Sequence, residues 1–110
     1  MKIIEKDDTI YWVGRNAKDN WETIKKSDQT WLWFNLDKFP SAHIVVCKES
    51  KDVSKKDIEN ACNLIIEYSK YKYNNIGIVY CEINNLLFGI DPGSVVFKNN
   101  NKVHRIIYVE

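Results

Sequence analysis

Two stretches of this sequence combine cations with aromatic rings, the residue types that hold single-stranded nucleic acid by neutralising phosphates and stacking on bases. Tyr68, Lys70, Tyr71, Lys72 and Tyr73 interleave the two kinds, and no acid falls between Glu67 and Glu82. A plainer reading of the same run is a helix end where lysines complement the macrodipole and tyrosines sit half in the core. Farther on, Lys98, Lys102, His104 and Arg105 form a smaller basic set that also reads as a solvated hairpin. Enzyme signatures are missing: there is no Gly-x-x-x-x-Gly-Lys-Ser/Thr loop, no Gly-x-Gly-x-x-Gly, no His-Glu-x-x-His and no Gly-x-Ser-x-Gly elbow. Catalysis by histidine would rest on His43 or His104 alone, and a lone strand histidine is more often a hydrogen-bonded structural residue. With no Cys-x-x-Cys pair and only 2 histidines, neither a zinc site nor another cofactor is expected.

The elements that must position these groups belong to one unit. A chain of 110 residues, 45% hydrophobic and 28% charged, supplies one packed core and is read as a single domain over residues 1–110. The formal net charge of +1 neither demands nor forbids a nucleic-acid partner, so only a local patch can attract one. Arginine occurs only at positions 15 and 105, which leaves most phosphate contacts to lysine point charges. Cys47, Cys62 and Cys81 are scattered and apolar in context, which suits reduced core thiols. No apolar run approaches the ~20 residues of a membrane span, and the N-terminus turns charged early, so a cytoplasmic setting is expected.

Along the chain, Lys2 to Glu5 and Thr9 to Arg15 read as strands, the second leaving through Gly14 into a turn. Ala17 to Lys26 reads as a short helix with Trp21 and Ile24 on its buried face. Trp31 to Leu36 alternates, with Leu32, Phe34 and Leu36 on one face and Trp31, Trp33 and Asn35 on the other. His43 to Lys48 should form a hairpin with it, bringing Asn35 near His43. Ser54 and Asp57 open a main helix over about residues 55–71, which Asn74 and Asn75 break. The following strand, Ile76 to Glu82, is expected to cross over onto a parallel neighbour, and Ser94 to Phe97 with Val103 to Val109 to close a C-terminal hairpin. The expected fold is α+β: a mainly antiparallel mixed β-sheet with one long helix on one face and a short N-terminal helix.

Several segments resemble the NFACT-R domain family in order and spacing. They are Val13-Gly14-Arg15-Asn16 with Asn20, Trp33-Phe34-Asn35, Pro40-Ser41-Ala42-His43, Ala61 to Lys70, and Pro92-Gly93-Ser94-Val95. The resemblance covers nearly the whole chain, and Trp33 to His43 is nearest to a stand-alone branch of the family. It implies RNA binding, with tRNA or rRNA and the large ribosomal subunit as partners, in ribosome-associated quality control or translation. Arg15, Asn16, Asn20, His43, Ser69 and Lys70 carry over as candidate binding residues, with Trp33 and Asn35 beside them. At two positions the chain departs from the family pattern, with Asn35 for a usual histidine and Ser41 for a usual glycine. Leu87 and Phe88 stand where basic residues are common. The chain as given also lacks the tRNA-gripping N-terminal domain and coiled coil of full NFACT proteins, so tail synthesis by this chain alone is not expected. Structural roles stay open for each motif residue: Gly14 as a φ > 0 turn, Asn16 and Asn20 as helix caps, His43 as a hairpin bond, Trp33 as either core plug or base platform. A DNA-binding or protein-interaction adaptor is the alternative function, and an enzyme acting on nucleic acid or nucleotides the third.

Overall fold

The computed structural model describes residues 1–69 and 75–108. Lys70, Tyr71, Lys72 and Tyr73 of the Lys-Tyr run, with Asn74 and Val109, therefore lie outside the described residues. Strand β1 (Lys2–Lys6) turns into β2 (Thr9–Gly14) through Asp7 and Asp8, whose φ angles of 50° and 65° give the left-handed turn that matches strand twist. Helix α1 (Ala17–Lys26) follows, then the hairpin of β3 (Trp31–Leu36) and β4 (His43–Glu49) with Phe34 opposite Ile44. Helix α2 (Lys55–Tyr68) leads to β5 (Ile76–Glu82). A short ribbon of β6 (Leu86–Phe88) and β7 (Val95–Phe97) precedes β8 (His104–Tyr108). The main sheet has six strands in the order β1-β2-β4-β3-β5-β8. The fold is α+β, as the alternating patterns indicate, and none of the described helices is long and apolar enough to cross a membrane.

Period-two alternation in β3 builds a core on each face of the sheet. Leu32, Phe34 and Leu36 join Tyr11, Val13, Ile44 and Val46 under the Ala61, Leu64 and Ile65 stripe of α2. Trp33, Val45, Val79 and Cys81 fill the opposite face with Ile24 of α1, Leu86 and Val103. Helix α2 starts with the expected cap, Ser54 and Asp57 each bonding the other's backbone N–H. Asp57 is buried and also receives Lys48 Nζ at 2.7 Å and Thr9 Oγ1 at 2.8 Å, which ties the helix start to β2 and β4.

Two topological expectations are corrected. β5 has no parallel neighbour: it pairs with β3 and β8, both antiparallel. β4 and β5 do run parallel, but β3 lies between them, because the tight β3–β4 hairpin already occupies the adjacent slot. The C-terminal hairpin does not form either. β7 pairs with β6 and β8 with β5, because Asn85 grips Asn99 through both backbone groups and the Asn100–Lys102 turn carries the chain back to the main sheet.

The cysteines lie in interior elements. Burial pushes the half-buried Cys47 thiol up to about 12 and the buried Cys62 and Cys81 thiols up to about 11. Thiol labelling of the native protein at neutral pH should therefore be slow at all three, with Cys47 first, and a reducing agent should leave the melting temperature unchanged. Fast labelling of Cys81 would contradict the position of β5 between two strands.

Candidate nucleic-acid interface

Five chain segments meet at one end of the sheet. β2 ends there, α1 begins, β3 turns back into β4, α2 finishes, and the turn before β7 closes the ring. Between them lies a cleft of about 740 Å³. Arg15, Asn16, Asn20, Asn35, His43 and Ser69, far apart in sequence, all line it.

Each residue is set by a local cause. Asn16 is the N-cap of α1, its Oδ1 accepting from Asp19 N–H at 2.9 Å. Arg15 is exposed, and its guanidinium makes no ion pair among the described residues; its backbone N–H donates to Asp19 Oδ2 at 3.2 Å. Ser69 ends α2 and accepts from Ala42 N–H at 3.4 Å, tying the helix end to the start of β4. Asn35 and Ser41 hydrogen-bond to each other, and both bond Leu36 N–H. The two side chains thus form a single polar clamp across the hairpin.

His43 and Asn20 are the buried polar members. His43 is 3% exposed, and its Nδ1 accepts from Trp33 Nε1 at 3.1 Å. That bond fixes the neutral tautomer with its proton on Nε2. Burial also pushes the His43 pKa down to about 4, so the ring is uncharged at neutral pH. Trp33 is 0% exposed behind it. A base cannot stack on a ring with no open face, so the base-platform role for Trp33 is corrected to that of a core plug that orients His43. Asn20 is 7% exposed, and its Oδ1 has no hydrogen-bond partner. It does not cap α1; that role belongs to Asn16.

Gly14 is needed for a different reason from the φ > 0 turn expected of it. Among the described glycines only Gly93 has positive φ. A Cβ on Gly14 would lie 2.5 Å from Asn20 Oδ1 and 3.0 Å from Asn20 Cα, so Gly14 is the socket in which α1 seats. Gly14→Ala is expected to cost about 1–3 kcal/mol of stability by pushing α1 off β2, measurable by chemical denaturation.

Sequence reasoning missed one wall of the cleft. The turn Asp91 to Ser94 is closed by Ser94 N–H on Asp91 O at 3.0 Å, with Pro92 second and Gly93 third at φ 84°. Ser94 O also accepts from Trp21 Nε1 at 2.9 Å, locking the turn to α1. The Pro-Gly pair signalled a turn, but nothing local signalled that it faces the start of a helix 70-odd residues earlier. The cleft walls also carry Lys38, Asp37 and Asp91, so cations and acids nearly balance.

The profile of the NFACT protein RNA binding domain matches residues 1–99. The chain belongs to this family. Coiled-coil domain-containing protein 25 of Bos taurus is 29% identical to this NFACT-R chain over 110 residues, covering 93% of the chain and 52% of the relative. The Danio rerio protein of the same name is also 29% identical, covering 98% of the chain and 55% of the relative. The chain thus spans about half the length of these curated relatives. Its fold matches the C-terminal part of the fibronectin/fibrinogen-binding protein of Streptococcus suis with a TM-score of 0.81 at 24% identity, over 97% of this chain and 43% of that one. Leu87 and Phe88 are exposed on the β6–β7 ribbon, and Phe88 packs 5.3 Å from Trp21.

Proposed function

We propose that this chain is a non-catalytic RNA-binding module that holds an RNA strand in the cleft at the head of α1. The observation that carries the reading is the convergence of Arg15, Asn16, Asn20, Asn35, His43 and Ser69 on that cleft in a chain of the NFACT RNA-binding family. The likeness to NFACT proteins supports tRNA or rRNA of the large ribosomal subunit as the target, in ribosome-associated quality control or translation in the cytoplasm. The near balance of charges argues for micromolar rather than nanomolar affinity, falling with salt.

Titration with labelled tRNA, single-stranded RNA and duplex DNA at two salt concentrations tests it; no binding to any RNA at low salt would sink the reading. Arg15→Ala is expected to weaken RNA binding by roughly 1–3 kcal/mol, the scale of a charge-assisted contact, while stability stays within about 0.5 kcal/mol. A second reading, a protein-interaction adaptor, draws on the exposed Leu87, Phe88, Ile90 and Val96 around the β6–β7 ribbon. It requires a partner whose binding is insensitive to salt and to Arg15→Ala.

A further inference from the structure

We propose that the cleft takes a single unpaired ribonucleotide, its phosphate at Arg15 and the first turn of α1 and its ribose hydroxyl between Asn20 and His43. The inference rests on the RNA-binding reading and deepens it by naming what part of the strand enters.

The geometry starts from Gly14. Its Cα is paired across the sheet with that of His43, so their side-chain positions stand next to each other on one face. Gly14 has no side chain, and Asn20 Oδ1 occupies the vacated place, 2.5 Å from where a Cβ would be. The amide of Asn20 is therefore brought beside the His43 ring, and both line the cleft. Trp33 already uses His43 Nδ1, which leaves Nε2–H as a donor. Asn20 Oδ1 is a buried acceptor that nothing satisfies and that has no surface open to the cleft, so a ligand reaches it by turning the amide out of the Gly14 socket. An unpaired buried acceptor costs free energy that a ligand supplying a donor can recover.

A donor and an acceptor side by side are complementary to a hydroxyl, which both donates and accepts. A phosphate offers acceptors only and would leave Asn20 unsatisfied. Of the nucleotide groups that offer both, the ribose 2′-hydroxyl is the one that distinguishes RNA from DNA. Phosphate has its own place nearby. Arg15 extends from the residue before the cap, and the opening turn of α1 presents backbone N–H groups beyond the one Asn16 takes. Asp19, which accepts from Arg15 N–H, is itself ion-paired with the Met1 ammonium, so it offsets that pull only in part. The volume of about 740 Å³ exceeds what a lone anion fills and lies in the range of small-molecule sites.

The test uses the full chain and four probes: adenosine 5′-monophosphate, its 2′-deoxy counterpart, inorganic phosphate and a single-stranded RNA, followed by amide and imidazole NMR shifts. The ribonucleotide should shift Arg15, the Asn20 side-chain amide and His43 Nε2, and bind about fivefold more tightly than the deoxynucleotide, the effect of one hydrogen bond. Phosphate should be weaker than both. Asn20→Ala should bring the ribo-to-deoxy ratio near one, with a melting curve checking that it remains folded; the wild-type shifts decide the matter if it does not. Equal affinity for the two nucleotides, or shifts confined to other surfaces, overturns the subsite even where the RNA strand binds. Retained ribonucleotide preference with no binding of the RNA strand overturns the RNA-binding reading and leaves the subsite standing.

Discussion

Trp33→Ala is expected to remove about 3–5 kcal/mol of stability, the scale for deleting a buried indole from a packed core. Trp33 is wholly enclosed in the central strand β3, with its ring edge-on to His43 at 5.2 Å and to Phe97 at 5.9 Å. Two costs add: the cavity beneath α1, and a buried His43 Nδ1 left without its donor. Trp33→Phe separates them. It keeps most of the ring volume and loses the N–H, so roughly 1–3 kcal/mol should go with it. Urea denaturation of both variants near pH 8 measures the losses. A loss below about 1 kcal/mol for the alanine variant would mean that Trp33 does not plug this core.

Much of this arrangement was legible in the sequence because its causes are local. Alternation in Trp31 to Leu36 assigned both faces of β3, and the Ser54 and Asp57 pair marked the start of α2 within one residue. The α1 boundaries followed from the Trp21 and Ile24 spacing and from Ser27-Asp28, which closes the helix. What failed was partner choice between distant strands. Nothing in Ile76 to Glu82 says whether it lies beside β4 or beyond β3, since its apolar pattern fits either slot. The short β6 strand was invisible for a related reason: three residues carry too little period to register, and its pairing with β7 depends on the Asn85 clamp around Asn99.

The candidate site divides the same way. Family resemblance named most of its residues, yet only the fold separates those that face the cleft from the one behind it. Trp33 and Asn35 share a strand face in sequence, but the β6–β7 ribbon and α1 cover Trp33 while Asn35 stays at the open end. Asn16 and Asn20 look alike on paper. The first is spent on capping, whereas the second is turned onto Gly14 with an acceptor unused. That difference cannot be read from residue type, because it arises from where α1 seats against β2.

Acid should unfold the protein in two stages whose order follows from two buried groups. His43 has its pKa pushed from 6.5 down to about 4 by burial, so between these values the unfolded chain binds a proton that the folded chain refuses. Its contribution is therefore fully present above pH 6.5 and is lost as the pH falls through 4, roughly 3 kcal/mol in all. Asp57 acts lower. Burial alone would raise its pKa, but the hydrogen bonds from Lys48, Ser54 and Thr9 outweigh that and hold the carboxyl well below its ordinary 3.8. Its contribution is complete above pH 3.8 and fails as the pH drops further. Denaturation midpoints measured from pH 8 to pH 3 should decline first below about 6.5, then more steeply below about 4. His43→Gln keeps an acceptor for Trp33 but cannot titrate, and should flatten the first decline while leaving the second. Asp57→Asn should shrink the second, leaving the smaller share of Asp19 and Asp28, and also cost roughly 2–3 kcal/mol at neutral pH. That is less than a fully enclosed ion pair would lose, because the Lys48 side chain keeps 31% of its surface in solvent and can rehydrate. If His43→Gln retained the decline between pH 6.5 and 4, the imidazole would have to be open to protonation in the folded state, and its Nδ1 could not be held as the acceptor for Trp33.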